Sequence, residues 1–245
     1  DAGEYSSLAL DAAGGAHISY YDRTGHLFAG SSMGDLKYAK RNSSGNWTTE
    51  AVEQADNAGK YSSIVLDGSG KPMIFHYYYF GTSDAASYAN WYYPRHPISA
   101  LEQVNCSYQD KSGLWSGFIA ESGYYWKITY SSAGAYCSSA MDSRQRYHLL
   151  YYTFEYYNNL NELHYKTGPA FSNPAFSGGK TDTREIINAG IGYGVYADIV
   201  LDKDGNPHLS CYDPGSRSLK YLKRTPSGTW LTEFADAGGD AGKYN

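Results

Sequence analysis

The chain has 245 residues, a net charge of −5, 27 glycines and 27 tyrosines, and only 18% of its residues are charged. It has no basic cluster, so it lacks the electrostatic footprint of a nucleic-acid-binding protein, and no apolar run is long enough to span a membrane. Tyrosine favours strands and glycine favours turns, so this composition predicts an all-β protein with aromatic surfaces.

The location of the protein is expected to be extracellular. A chain that begins at Asp1 without an initiator Met is expected to be a mature, processed or excerpted polypeptide. Three Asn-x-Ser/Thr triplets, at Asn42, Asn46 and Asn105, add support for a secreted glycoprotein.

The first predicted element is a short strand that occurs four times. Its first copy reads Tyr-Ser-Ser-Leu-Ala-Leu-Asp, and the copies occupy residues 5–11, 61–67, 136–142 and 196–202. A glycine-containing turn follows three of the copies. The aspartates that end them, Asp11, Asp67, Asp142 and Asp202, are therefore interpreted as turn residues.

The other three elements recur in the same order. The second reads His-Ile-Ser-Tyr-Tyr-Asp at 17–22 and returns at 73–78, 148–153 and 208–213. The third is Leu-x-Tyr at 36–38, 163–165 and 219–221, with 104–106 as a weak copy, and the fourth begins at Trp47, Trp115 and Trp230 after a Ser-Gly-x-Trp turn. Each repeat is thus predicted to be four short strands joined by hairpins.

Four-stranded units at a regular spacing are typical of propeller blades. The first-strand tyrosines lie 56, 75 and 60 residues apart, and the excess over a bare blade is loop insertion. We predict one all-β domain, a β-propeller of four four-stranded antiparallel blades at approximately 1–55, 56–123, 124–190 and 191–245. Five blades, or an incomplete propeller completed by another chain, are the alternatives.

These four motifs together resemble a repeat of secreted bacterial β-propeller proteins, and the resemblance covers nearly the whole chain. Relatives of this architecture include sugar-binding lectins, sialidase-like proteins and polysaccharide lyases, so the resemblance implies a fold rather than one activity. Sialidases carry Ser-x-Asp-x-Gly-x-x-Trp turns. Only Ser-Gly-x-Trp is present here, so sialidase activity is not carried over.

The two ends of the chain carry the same short motif. Residues 1–5 read Asp-Ala-Gly-Glu-Tyr and residues 240–244 read Asp-Ala-Gly-Lys-Tyr. Three interpretations stay open: the ring closes at this loop with four blades, the chain is part of a longer propeller, or its end completes a neighbouring subunit in a head-to-tail assembly.

No cofactor or metal is expected. The three cysteines match no metal motif; Cys106 and Cys137 are a candidate disulfide, and buried free thiols are the alternative. The repeated His17, His148 and His208 occupy equivalent blade positions, which keeps them apart, so a structural hydrogen bond to a neighbouring blade is favoured over metal binding. The stretch 202–206 resembles a calcium loop but lacks the downstream glutamate, and a turn explains it better.

The candidate site lies on one face of the propeller. Strands alternate in direction, so the loops between second and third strands and those between blades emerge on the same side, and functional residues tend to lie on such loops. The inserts at 23–34, 80–101 and 122–135 belong to this face. The candidate ligand-binding residues are Arg23, His26, His76, Trp91, Tyr92, Tyr93, Arg95, His96, Tyr124, Tyr125 and Trp126.

Aromatic rings stack on sugars and Arg pairs with carboxylates or sulfates, so a non-catalytic glycan-binding propeller is the main functional hypothesis. The alternative for the same aromatics is that they pack the inserts onto the scaffold or onto another subunit. The low charge and matched ends suggest a second hypothesis, a self-assembling filament or surface-layer subunit. A third is a polysaccharide lyase on a uronic-acid polymer, with Arg95, His96, His76 and a nearby tyrosine in its site.

Overall fold

The structure is a computed structural model that describes residues 1–28, 31–80, 101–122, 125–126, 129–155, 160–171, 182–190 and 196–243. Over these residues the chain forms seventeen β-strands and no helix. Accordingly, none of the residues in these ranges belongs to a helix that could cross a membrane.

Four antiparallel sheets follow one another along the chain. The first contains β1 (Ala2–Leu10), β2 (Ala16–Phe28), β3 (Ser31–Arg41) and β4 (Trp47–Glu53). The second contains β5 (Asn57–Leu66), β6 (Pro72–Phe80), β7 (Leu101–Gln109) and β8 (Trp115–Ser122). The third contains β9 (Tyr125–Trp126), β10 (Thr129–Met141), β11 (Arg146–Glu155), β12 (Leu160–Pro169) and β13 (Thr183–Gly190). The fourth contains β14 (Asp198–Leu201), β15 (Pro207–Asp213), β16 (Ser218–Arg224) and β17 (Trp230–Asp236).

The turn after each first strand is closed by an aspartate, as predicted. Asp11 Oδ1 accepts the backbone N–H groups of Ala13 and Gly15 at 3.0 and 2.6 Å. Asp67, Asp142 and Asp202 repeat the pattern in the other sheets. A short carboxylate that bonds to the backbone two and four residues further on fixes the hairpin and its register.

The sheets pack face to face through their first strands, with β5 against β1, β10 against β5 and β14 against β10. A repeated hydrogen bond aligns them: a first-strand serine hydroxyl accepts a backbone N–H of the next first strand. The pairs are Ser7 with Ile64 at 3.2 Å, Ser63 with Ser139 at 2.9 Å, and Ser138 with Ile199 at 3.2 Å. Small hydroxyl side chains allow this close approach, and the stack of sheets is that of propeller blades.

A contact that we call the indole clasp joins two of the three sheet pairs at the outer strands. Trp115 lies edge-on to Tyr38 at 5.2 Å and donates its indole N–H to Glu50 at 2.7 Å. Trp230 does the same with Tyr165 at 5.3 Å and Glu185 at 3.0 Å. A residue on the same strand pair as each Trp, Gln109 or Arg224, also donates to that glutamate.

The middle sheet pair has different outer contacts. Cys106 and Phe118 of the second sheet stand where the clasp has Tyr and Glu. Glu121 instead accepts hydrogen bonds from Tyr151 at 3.1 Å and Arg184 at 2.8 Å of the third sheet. Between the sheets lie three apolar cores, one for each neighbouring pair.

Among the residues that the structure describes, two sheet surfaces have no further sheet packed on them, and we call them the start face and the end face. The start face belongs to the first sheet and contains Leu8, Leu10 and Trp47, which are 61%, 64% and 50% exposed. The end face belongs to the fourth sheet and contains Val200 and Leu231, which are 60% and 52% exposed. The prediction of an all-β propeller with four four-stranded blades is confirmed by the four sheets, and the third adds the short β9.

The candidate disulfide between Cys106 and Cys137 is not formed, and all three cysteines are free thiols. Cys106 is buried in the core between the second and third sheets, and the Cys137 thiol donates to the Gly134 carbonyl at 3.1 Å. Burial raises the pKa of both thiols. The alternative of buried free thiols is therefore the correct one for Cys106 and Cys211, while Cys137 is half-buried.

Candidate ligand-binding site

Four tyrosines, one at or near the start of the first strand of each sheet, form a row at the centre of the candidate site. Tyr5, Tyr61, Tyr136 and Tyr196 have φ angles of 52°, 52°, 56° and 57°, in the left-handed region that few non-glycine residues adopt. The pairing of β1, β5 and β10 with their second strands shifts register at the same place. This bulge turns each ring out of the strand alternation.

The turned rings stand beside one another across the sheets. The centroid distances are 4.6 Å from Tyr5 to Tyr61, 4.7 Å from Tyr61 to Tyr136, and 5.2 Å from Tyr136 to Tyr196. Second-strand tyrosines support the row edge-on, with Tyr21, Tyr77 and Tyr152 at 6.1, 6.2 and 6.3 Å from their first-strand partners. The result is a continuous aromatic surface held by four separate sheets.

The tyrosine row lies at one end of an open cavity of about 330 Å³ between the first strands. Serines of the first strands line this cavity, among them Ser6, Ser62 and Ser138. Asp22 of β2 pairs with Ala2 at the start of β1, and Tyr79 of β6 pairs with Asn57 at the start of β5. This part of each second strand therefore lies at the tyrosine end of the cavity.

Charged groups stand around this end. Arg23 donates to Glu4 at 2.5 Å and approaches Asp1 at 3.8 Å, and its side chain is 59% exposed. The Lys60 ammonium lies 5.5 Å from the centre of the Tyr21 ring. Burial raises the pKa of Glu102, although a hydrogen bond from Tyr77 opposes the shift. The site thus offers two cations and several carboxylates within an aromatic frame.

Two phenols of this frame, those of Tyr61 and Tyr152, keep their protons at neutral pH. Burial is the main cause that raises the pKa of Tyr61, and it raises the pKa of Tyr152 to about 12. A protonated phenol donates a hydrogen bond, whereas a phenol that acts as a general base must first lose its proton. The arrangement suits recognition of hydroxyl groups more than proton abstraction.

The sequence-predicted site residues are only partly placed. Arg23 lies at the tyrosine end, where it pairs with Glu4, and Tyr125 and Trp126 form β9, which pairs with Thr129 and Tyr130. His26 pairs with Met33 across β2 and β3. The predictions for Trp91, Tyr92, Tyr93, Arg95, His96 and Tyr124 lie outside the described residues.

His76 is buried between the first two sheets rather than at the site. Its side chain is fully inaccessible, with Nε2 at 3.1 Å from Glu53 and 3.2 Å from Ser107. In a Ser–His–acid triad the serine and the acid bond to opposite ring nitrogens, whereas here both share Nε2. Burial alone would raise the pKa of Glu53, but the bonds from His76, Ser107 and Asn105 hold that pKa below its ordinary value.

The repeated histidines are structural, but their partners differ from those expected. His17, His148 and His208 each lie 2.6 Å through Nδ1 from a third-strand tyrosine hydroxyl, and their Nε2 atoms face the turn aspartates at 3.3–3.4 Å. All of these bonds stay within one sheet, whereas the sequence suggested bonds to a neighbouring sheet. Within the ranges that the structure describes, no group of histidine, cysteine or acidic residues could hold a metal.

The tyrosine row was missed at the sequence level because its members look like ordinary strand residues. A usable signal exists: in the first two copies the tyrosine follows Ala-Gly-x and precedes two serines. Gly3 and Gly59, two residues before Tyr5 and Tyr61, also have positive φ angles. A glycine and a bulky residue two apart at a strand start indicate a bulge.

Comparisons with known proteins show similarity at the level of structure. No family model matches the chain, and no curated protein matches it. A Hadza microbial sialidase matches with a TM-score of 0.63 and 12% identity over 96% of this chain and 47% of its own. A NanB sialidase from Streptococcus pneumoniae matches with a TM-score of 0.58 and 12% identity over 98% of this chain and 52% of its own. An ulvan lyase matches with a TM-score of 0.56 and 11% identity over 93% of this chain and 56% of its own.

At these identities the likeness shows the fold alone. The chain spans about half the length of these solved structures. Sheet topology and structural neighbours therefore agree, and the chain has the fold of β-propellers such as sialidases and polysaccharide lyases.

Proposed function

We propose that this protein is an extracellular, non-catalytic propeller that binds a glycan at the tyrosine end of the cavity between its first strands. The observation that carries the proposal is the tyrosine row, in which four rings from four sheets stand 4.6–5.2 Å apart. Left-handed backbone at a bulky residue is energetically unfavourable. Its occurrence at all four tyrosines favours a function for the exposed aromatic surface.

A sugar fits this surface by its chemistry. The C–H faces of a pyranose stack on aromatic rings, and protonated phenols donate hydrogen bonds to its hydroxyl groups. Tyr5 is 40% exposed, so at least one ring of the row is open to a ligand. Lys60, together with Arg23, which already holds Glu4, supplies the positive charge with which a carboxylate or sulfate of an acidic glycan can pair.

The inserts that leave the same end extend the proposed site. Phe80 at the end of β6 pairs with Leu101 at the start of β7, on the tyrosine end of the second sheet, and the segment 81–100 joins these two residues in the sequence. Its Trp91, Tyr92, Tyr93, Arg95 and His96, together with Tyr124, Tyr125 and Trp126 of the next insert, are proposed to contact the glycan beyond the row. The same residue types are common in carbohydrate sites with one apolar and one polar wall.

A glycan array followed by calorimetry tests the proposal. We expect binding to acidic polysaccharides, with Tyr61→Ala reducing affinity at least about tenfold and Tyr61→Phe less, because stacking is kept. Tyr108→Ala is the matched control, since Tyr108 lies at the far end of the second sheet, stacked on Phe171 at 4.3 Å. An array without hits, or equal losses for Tyr61→Ala and Tyr108→Ala, would contradict the proposal.

The lyase hypothesis is separated from binding in the same samples. A lyase releases an unsaturated uronate that absorbs ultraviolet light, whereas a binding protein leaves the polymer intact. We expect a flat absorbance trace during incubation with every polysaccharide that binds. A rising trace would replace the binding function by a catalytic one.

A further inference from the structure

The start face and the end face expose apolar residues whose equivalents in other repeats are buried between two sheets. Leu8 on the start face is 61% exposed, whereas its equivalents Ile64 and Ile199 are each 4% exposed. Val200 on the end face is 60% exposed, and its equivalent Val65 is 6% exposed. Apolar residues at these positions pack against a further sheet wherever one is present.

The two faces also carry the two separate halves of an indole clasp. On the start face Trp47 pairs with Arg41, as Trp115 pairs with Gln109 and Trp230 with Arg224. On the end face Tyr221 pairs with Glu233, as Tyr38 pairs with Glu50 and Tyr165 with Glu185. The Tyr221 ring is already fixed by its hydroxyl, 2.6 Å from His208 Nδ1, as Tyr38 is by His17.

The halves of the clasp occur together or not at all. The middle sheet pair lacks the Tyr and Glu half, with Cys106 and Phe118 in those places, and the third sheet lacks the Trp half, with Asp182 there. Where one half is present inside the stack, so is the other. The Trp and Arg of the start face therefore match the Tyr and Glu of the end face in both shape and charge.

The groove beside the end face accepts the motif shared by both termini. Residues Asp240–Lys243 contact the fourth sheet in the same way as Asn57–Lys60 contact the first sheet. In each case a second-strand tyrosine donates a hydrogen bond to the first residue of the segment, from Tyr212 to Asp240 and from Tyr21 to Asn57. A Cβ on Gly242 would come within 2.9 Å of Leu219, and one on Gly59 within 2.8 Å of Leu36. Gly3 has the same backbone conformation, with φ +109°, and open space around it.

We propose that the end face binds the start face of a second copy of this chain, forming a head-to-tail assembly. Trp47 of one copy packs on Tyr221 of the other and donates its indole N–H to Glu233, while Arg41 pairs with the same carboxylate. The Asp-Ala-Gly segment at the start of the bound copy replaces residues 240–242 in the groove over Leu219. Leu8 and Val200 become buried, as Ile64 and Val65 are.

Light scattering and sedimentation over a range of concentrations test this assembly. We expect a mass that rises from the monomer, and dissociation constants at least about tenfold weaker for Trp47→Ala and Glu233→Ala. Leu114→Ser is the control, because Leu114 is 67% exposed but lies in a turn of the second sheet, away from both faces. A monomer at every concentration, or an equal loss for Leu114→Ser, overturns the proposal.

A charge exchange distinguishes this contact from non-specific association. Arg41→Glu and Glu233→Arg each place like charges at the clasp, so each variant alone should be monomeric. Mixed in equal amounts they should associate, because every contact between the two variants again joins opposite charges. Circular dichroism of each variant checks that it folds. A folded mixture that stays monomeric overturns the proposed pairing.

Discussion

At the scale of single residues, the histidine of three repeats links a turn aspartate to a third-strand tyrosine. His17 bonds to Tyr38 and faces Asp11, and His148 bonds to Tyr165 and faces Asp142. Burial lowers the pKa of both imidazoles, although the aspartates oppose the shift. The neutral imidazole is thus the form that the folded chain prefers.

This preference makes stability depend on pH. A folded-state pKa below the unfolded value of about 6.5 stabilises the fold above that pH, and the contribution is lost as pH falls toward the folded pKa. We expect the urea midpoint to decrease from pH 7.5 to pH 5.5. The His17→Gln and His148→Gln double variant should show a smaller decrease in the urea midpoint. The same decrease in the variant and the original chain would show that groups other than these histidines cause the pH dependence.

The cysteines allow a second prediction at this scale. Burial raises the pKa of Cys106 well above its ordinary value and raises that of Cys211 to about 11. A thiol reacts as its thiolate, so both should be slow toward iodoacetamide in the folded chain and fast after unfolding. Titration in denaturant without reductant should give three thiols. A count of one would show that a disulfide forms.

At the scale of strands, the tryptophan of the fourth strand has the same sequence position in three sheets and two different surroundings. Trp115 and Trp230 make the indole clasp, whereas Trp47 is 50% exposed. We expect Trp115→Ala or Trp230→Ala to lower the free energy of unfolding by about 2 kcal/mol, since each loses packing and a charge-assisted bond. Trp47→Ala should cost less than about 0.5 kcal/mol at concentrations where the chain is monomeric. Equal losses at all three positions would contradict the clasp.

Sequence periodicity predicted the strands well because strand order and turns are local properties. The turn aspartates, the second-strand histidines and the Trp spacing all mark real strands, and even the weak copy at Cys106 lies in β7. The clasp was not predictable in this way, because Glu50 and Trp115 belong to different repeats and no local pattern joins them. The tyrosine row was missed for a similar reason, since strand alternation hides a bulge.

At the scale of the whole molecule, the main contacts among the described residues join each sheet to its neighbours in the stack. Stability in such an array is a sum over sheets and interfaces, so sheets with one neighbour open more readily than those with two. Hydrogen exchange should therefore be slower in β5 and β10, which lie inside the stack, than in β1 and β17. Equal protection in all four would contradict a linear stack, and protection of β1 that rises with concentration would accompany self-association.

The all-or-none distribution of the clasp has a consequence for how such a chain can grow. A copy of the first repeat placed before itself brings Tyr38 and Glu50 against Trp47, so its interface is matched without further change. A copy of the third repeat placed next to itself sets Tyr165 and Glu185 against Asp182, which leaves two carboxylates facing each other. Duplication of the first repeat therefore keeps the interface matched, whereas duplication of the third repeat requires compensating substitutions at the new interface.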